Sequence, residues 1–302
     1  VNTVLVKGAT SMDMFNKASI KERVGPDIQK NASLDHLKPV EKYFLDTIKK
    51  FKIEASYDVI ANELPYFKTM NYTEWAHCFI MHPLNQELRI RQMVDAYNDN
   101  APQKIDYVGH FRDRILNGQS NKYTHIRASD TLPTRENLVV LVGSNKLKER
   151  ICLNKLKWIK AKYEDDVYFK PHPLTNYQLI GELQDLFGHS TLLERDLDLY
   201  YFLTKAKQVF TSHMSESAMY AVALGLPIEP IDVYQKVEQG SFFHINKFLF
   251  TEENPKEWAN RTFNSPKSGV INPLIDDHWK VRIDEYLDYI STTRNSFKNK
   301  YI

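Results

Sequence analysis

The chain has 302 residues, of which 42% are apolar and 26% charged, a balance that excludes an intrinsically disordered protein. Forty basic and 38 acidic side chains leave a net charge of +2, too even to announce a nucleic-acid binder. No apolar run approaches the ~20 residues that span a bilayer, and the length suffices for two domains with separate cores.

In chain order, Val1–Lys7 is too short and mixed for a signal peptide. Val4-Leu5-Val6, closed by Gly8-Ala9-Thr10-Ser11, reads as a first strand. Leu37, Val40, Phe44, Leu45 and Ile48 line one face of a helix between His36 and Lys52. Tyr57–Ala61 reads as a strand, Glu87–Tyr97 as a helix and Asp106–Gly109 as a strand tip. The polar stretch from Gly118 to Pro133 takes the domain boundary. Cys78 and Cys152 sit among apolar residues and read as buried free thiols of a reducing compartment, so a cytoplasmic location is expected.

The second half alternates strand and helix with short links. Leu138–Val142 is a continuous apolar run, as a strand covered on both faces requires. A helix near Lys148–Tyr163 follows, then a strand at Val167–Phe169 and a helix at Asn176–Phe187. Next come a strand at Leu192–Glu194, a helix at Leu197–Lys205 and a strand at Gln208–Thr211. A helix at Glu216–Leu224 stops at Gly225, and Pro227–Ile231 completes the series. This alternation predicts an α/β fold with a parallel, doubly wound sheet. Trp279, Ile283, Tyr286, Leu287 and Ile290 mark a last amphipathic helix.

Ligands of such sheets bind beyond the carboxyl ends of the strands. Three strand ends carry suitable groups. Gly143-Ser144-Asn145-Lys146 offers a backbone that can approach a phosphate. Lys170-Pro171-His172-Pro173 holds one imidazole between two prolines, which restrain the loop, and adds the charge of Lys170. Thr211-Ser212-His213-Met214-Ser215 puts hydroxyls at a helix start. An ordinary strand-to-helix turn, a proline-capped helix entry and a simple N-cap are the structural alternatives.

Lys-Pro-His-Pro, a spacing of about 40 residues, a Ser-rich turn and a helix ending in Gly-x-Pro together resemble GT-B glycosyltransferases. The pattern is most similar to bacterial sialyltransferases, capsule Kdo transferases and teichoic-acid polymerases, over residues 137–235. The resemblance implies two Rossmann-like domains facing across a cleft: an acceptor-side domain at 1–130, a nucleotide-sugar-binding domain at 131–270 and a C-terminal helix at 271–302. It implies that His172, Pro173, Ser212 and Ser215 contact the donor phosphate, joined by Gly143, Ser144 and Lys170. His213 and Met214 separate the two serines, a departure that leaves UDP- and CMP-linked donors both open. Glu194, Arg195 and Glu216 are placed for the nucleoside.

A general base near the acceptor hydroxyl completes such a site. Asp13, after the first strand, is the expected base, with Asp58, Glu63 and Asp113 as rivals and His172 as the second catalytic group. His82-Pro83 repeats the dipeptide but reads as a turn. Lys, His and helix dipoles are expected to stabilise the leaving group, with no essential metal and no further cofactor. The expected reaction is sugar transfer to a hydroxyl of a glycan, a lipid-linked sugar or a hydroxymethylated DNA base of a phage. For DNA, Arg89, Arg91, Lys104, Arg112 and Arg114 are the candidate basic face. A nucleotide-sugar epimerase of the same fold and a non-catalytic nucleotide-binding protein are the alternatives.

Overall fold

The structure, a computed structural model, describes residues 38–50, 70–72, 78–80, 86–117, 131–143, 153–173, 175–234 and 241–301. In chain order these form α1 (Lys38–Lys50), β1 (Met70–Tyr72), β2 (Cys78–Ile80), α2 (Gln86–Asn98) and α3 (Tyr107–Leu116). Next come β3 (Asn137–Val140), α4 (Leu153–Tyr163), β4 (Val167–Lys170), α5 (Tyr177–Phe187) and α6 (Leu199–Leu203). Then follow β5 (Gln208–Thr211), α7 (Ser217–Ala223), β6 (Ile228–Pro230), α8 (Ser241–Thr251) and α9 (Pro255–Asn264). A 3-10 turn (Pro266–Ser268), β7 (Val270–Ile271) and α10 (Trp279–Tyr301) close the series. The strands expected at Val4–Val6 and Tyr57–Ala61 lie outside the described residues.

β3 lies between β4 and β5, parallel to both, and β6 extends the sheet beyond β5. Val140 stands level with Lys170 and Thr211, and Thr211 with Pro230, so the strands end in one row. The expected strand at Leu192–Glu194 is reduced to one parallel bridge, Leu192 to Phe169. Beyond it the chain turns, Leu197 N donating to Glu194 O at 3.3 Å. Counting that bridge, successive strands lie in the spatial order third, second, first, fourth, fifth, the order of the first five strands of a Rossmann-like sheet.

Alternation along the strands builds a core on each face. Leu138, Val140, Tyr168 and Val209 join one cluster with Leu203, Ala218, Tyr220 and Val222. Val139, Leu141, Val167, Phe169 and Phe210 join the other with Leu156 and Ile159 of α4 and Leu179, Leu183 and Phe187 of α5. Each large apolar side chain buried this way contributes roughly 1.5–3 kcal/mol. The first cluster also takes Met93 of α2 and Tyr107, Val108, Phe111 and Ile115 of α3. Residues 86–117 thus help to cover the parallel sheet, although they precede the polar stretch.

The expected strand tip at Asp106–Gly109 is a helix start. Asp106 caps α3 by accepting from Gly109 N at 2.8 Å and from Asn260 Nδ2 at 2.8 Å. A Cβ at Gly109 would lie 2.1 Å from Asp106 Oδ2, so only glycine admits this cap. Gly225 adopts φ +76° and stops α7, with Leu226 N donating to Ala221 O at 2.9 Å.

A second sheet is antiparallel, in the order β1-β2-β7, with Cys78 opposite Ile271. The parallel pairing expected of an N-terminal Rossmann-like half is not found among the described strands of that region. α10 buries Ile283, Tyr286, Leu287 and Ile290, as the periodicity predicts. Arg282 ties it to the end of α9, donating to Val270 O at 2.7 Å, Asn264 O at 3.0 Å, Ser265 O at 3.0 Å and Phe263 O. Tyr43 of α1 bonds Asp284 of α10 at 3.0 Å. Among the described residues no helix is long and apolar enough to cross a membrane.

Candidate functional site

The carboxyl edge of the parallel sheet gathers the loops after β3, β4, β5 and β6. The chain leaves β3 for β4 on one side and later returns to β5 on the other. β3 and β5 therefore flank a topological switch point, where an open sheet parts its loops into a crevice.

The loop after β3 starts with Leu141 N donating to Lys170 O at 2.9 Å, which ties it to the end of β4. Gly143 then passes against His172, and a Cβ there would lie 3.7 Å from His172 Nδ1. His172 and Pro173 are half-buried. Thr175 N donates to His172 O at 2.9 Å and closes the loop, and Asn176 caps α5 by accepting from Leu179 N at 2.8 Å. Gly143 and His172 thus lie side by side at the ends of β3 and β4. Ser144 lies outside the described residues, and so do Asp13, Asp58, Glu63 and His82-Pro83.

Lys170 does not reach the ligand-facing rim. It is 2% exposed, and its ammonium donates to Pro171 O at 2.8 Å and Arg195 O at 2.9 Å. Burial pushes its pKa down to about 7 against the opposing pull of Asp196 and Asp198. The physical reason is register: Lys170 is the last residue of β4, level with Val140, and faces inward beneath the loop. Arg195, expected at the nucleoside, donates to Thr175 O at 2.7 Å and stacks 4.0 Å from the Tyr177 ring centroid. Lys170 and Arg195 together fasten the His172 loop to the 194–198 loop. Glu194 is exposed on that loop.

The turn after β5 is also fastened from behind. Ser212 is fully buried, and its hydroxyl donates to Asp232 Oδ2 at 2.6 Å while accepting from Met214 N at 3.0 Å. His213 is 5% exposed, with its N–H 3.0 Å and its Nδ1 2.8 Å from Asp232 Oδ1. Phe250, Phe243 and Tyr234 surround the imidazole at centroid distances of 4.7, 5.4 and 5.7 Å. Ser, His and Asp meet here, but the serine binds the carboxylate and not the imidazole. They are not a nucleophilic triad, which needs the base on the hydroxyl. Asn246 of α8 grips the same turn, donating to His213 O at 2.8 Å and Ser215 O at 2.7 Å.

The Ser212 hydroxyl is therefore engaged within the turn, by Asp232 and by Met214 N. Ser215 is half-buried, its hydroxyl 2.7 Å from Ser217 Oγ. Glu216, at the start of α7, makes no side-chain capping bond. The residues that sequence reasoning missed are Asp232 and Asn246. An acid just past an apolar strand, in Ile231-Asp232, was the available signal for the first, whereas nothing in the order of residues marks Asn246.

The chain contains one Asp-x-Asp pair, Asp196-Leu197-Asp198. Asp198 caps α6, accepting from Tyr200 N at 2.9 Å. Among the described residues no cluster of three or more His, Cys, Asp or Glu is arranged to hold a metal ion. The basic face proposed for DNA is not continuous. Arg89 is 4% exposed, with burial lowering its pKa to about 10. Arg91 pairs with Asp95 at 3.3 Å and Arg112 with Asp113 at 3.0 Å, while Lys104 is exposed.

Fold and site define an α/β protein with a Rossmann-like parallel sheet and its loop constellation at the carboxyl edge. Compared with known proteins, the chain matches no family model and no curated protein.

Proposed function

We propose that the chain is a glycosyltransferase of the GT-B type, moving a sugar from a UDP- or CMP-linked donor to a hydroxyl acceptor. The observation that carries the reading is the approach of Gly143 to the His172 imidazole at the carboxyl ends of β3 and β4, beside the switch point. An imidazole held there by a proline-bounded loop can donate to a phosphate oxygen, and glycine lets the donor approach the backbone closely. The leaving nucleotide gains negative charge as the glycosidic bond breaks, and a preorganised N–H donor stabilises that charge. Lys170 and Arg195 act one layer back by holding the loop in place. The acceptor and its general base belong to the N-terminal part in this reading, with Asp13 as the proposed base.

Thermal-shift screening with UDP, CMP, GDP and their sugars tests it, since a ligand that binds only the native state raises the melting temperature by mass action. One base should stand out, and His172→Ala should lose most of the shift. A variant that keeps the full shift rejects the phosphate site. Donor turnover without any acceptor would point to an epimerase, and binding with no turnover to a non-catalytic protein.

A further inference from the structure

Asp232 follows β6, at the outer side of the sheet, and yet it reaches the turn after β5. Its carboxylate accepts from three donors of two consecutive residues: Ser212 Oγ at 2.6 Å, His213 N at 3.0 Å and His213 Nδ1 at 2.8 Å. Its side chain is 1% exposed and that of His213 6%. Both oxygens are engaged, Oδ2 by the serine and Oδ1 by the histidine. Ser212 Oγ in turn receives Met214 N at 3.0 Å, so the carboxylate sets the hydroxyl and the hydroxyl sets the next amide. On the opposite side Asn246 holds the carbonyls of His213 and Ser215. The turn is therefore clamped through its N–H groups and side chains by Asp232, and through its carbonyls by Asn246.

We infer that Asp232 is a positioning residue of the crevice: it shapes the 212–216 turn for a ligand through Ser212 and His213, neither of which touches the ligand. The inference rests on the nucleotide site proposed above for its ligand, but the clamp itself stands on the bonds just described. Ser212 then has no independent role in binding. Its hydroxyl matters only while the Asp232 carboxylate is there to orient it.

A double-mutant cycle decides this. Wild type, Ser212→Ala, Asp232→Asn and the double variant are titrated with UDP and with CMP by calorimetry, and amide hydrogen exchange is followed over the whole chain. Asp232→Asn should weaken nucleotide binding at least tenfold, and the double variant should bind no more weakly than Asp232→Asn alone. Exchange at residues 213–215 should rise at least tenfold in both single variants and no further in the double, while β3 and β4 keep their protection. Losses that multiply in the double variant mean that Ser212 touches the ligand, which overturns the inference. Unchanged binding in Asp232→Asn, or exchange that rises uniformly through the sheet, also overturns it. If wild type binds neither nucleotide, the donor reading fails and the exchange measurement alone judges the clamp. Should Asp232→Asn fail to fold, Ser212→Ala against wild type still reports whether residues 213–215 depend on that bond.

Discussion

At Lys170 a single buried side chain couples the site to pH. Burial brings its pKa from 10.5 down to about 7 in the native state, whereas the unfolded chain keeps the ordinary value. Between those two values the unfolded state binds more protons than the native state, so stability rises with pH across that window. Below pH 7 both states hold the proton and the full cost of the buried charge is present. Lys170→Met should flatten the rise, seen as a urea midpoint that changes less between pH 7 and 10 than that of wild type. The same variant leaves Pro171 O and Arg195 O without their donor, at about 1–3 kcal/mol for each carbonyl left unpaired. Loosening of the His172 loop should accompany it. An unchanged pH slope would show that the ammonium is not the titrating group.

Helix ends hold the elements in register. The cap of α3 depends on a residue with no side chain, because Asp106 occupies the space a Cβ would need. Gly109→Ala should expel the Asp106 carboxylate and cost about 1–3 kcal/mol, lowering the urea midpoint with little change in slope. Arg282 does the corresponding work at the end of α9, where one guanidinium serves four carbonyls. Arg282→Leu should cost about 3 kcal/mol or more, since buried acceptors lose their donors. Arg282→Lys should recover little, because an ammonium lacks the planar fork that spans those positions. A full rescue by lysine would mean that charge alone, and not geometry, joins α10 to α9.

For the molecule as a whole, the parallel sheet with helices on both faces brings the ends of β3, β4, β5 and β6 to one carboxyl edge. Asp196 and Asp198 lie near that edge, with Asp198 capping α6 and both carboxylates countering the buried charge of Lys170. Nucleotide binding measured by calorimetry should therefore be the same with and without EDTA. A loss of affinity on chelation would recast the Asp-Leu-Asp segment as metal-binding.

The order of strands and helices from Asn137 to Pro230 was readable in the linear chain, because unbroken apolar runs, proline stops and Gly225 act within a few residues of themselves. The approach of Gly143 to His172 followed from that order, since parallel strands that start together also end together. The strand tip expected at Asp106 failed because Tyr107 and Val108 suit a strand locally, while Asn260, 154 positions away, joins Gly109 in fixing Asp106 as a cap. The burial of Lys170 and Ser212 was equally invisible: whether a rim residue faces ligand or carbonyl depends on the neighbouring loop. Asp232 and Asn246 belong to other elements, and only folding brings them to the turn. Local stereochemistry writes the elements into the sequence, but which polar atoms meet across them is settled by packing, where partners remote in the chain compete for the same buried donors and acceptors.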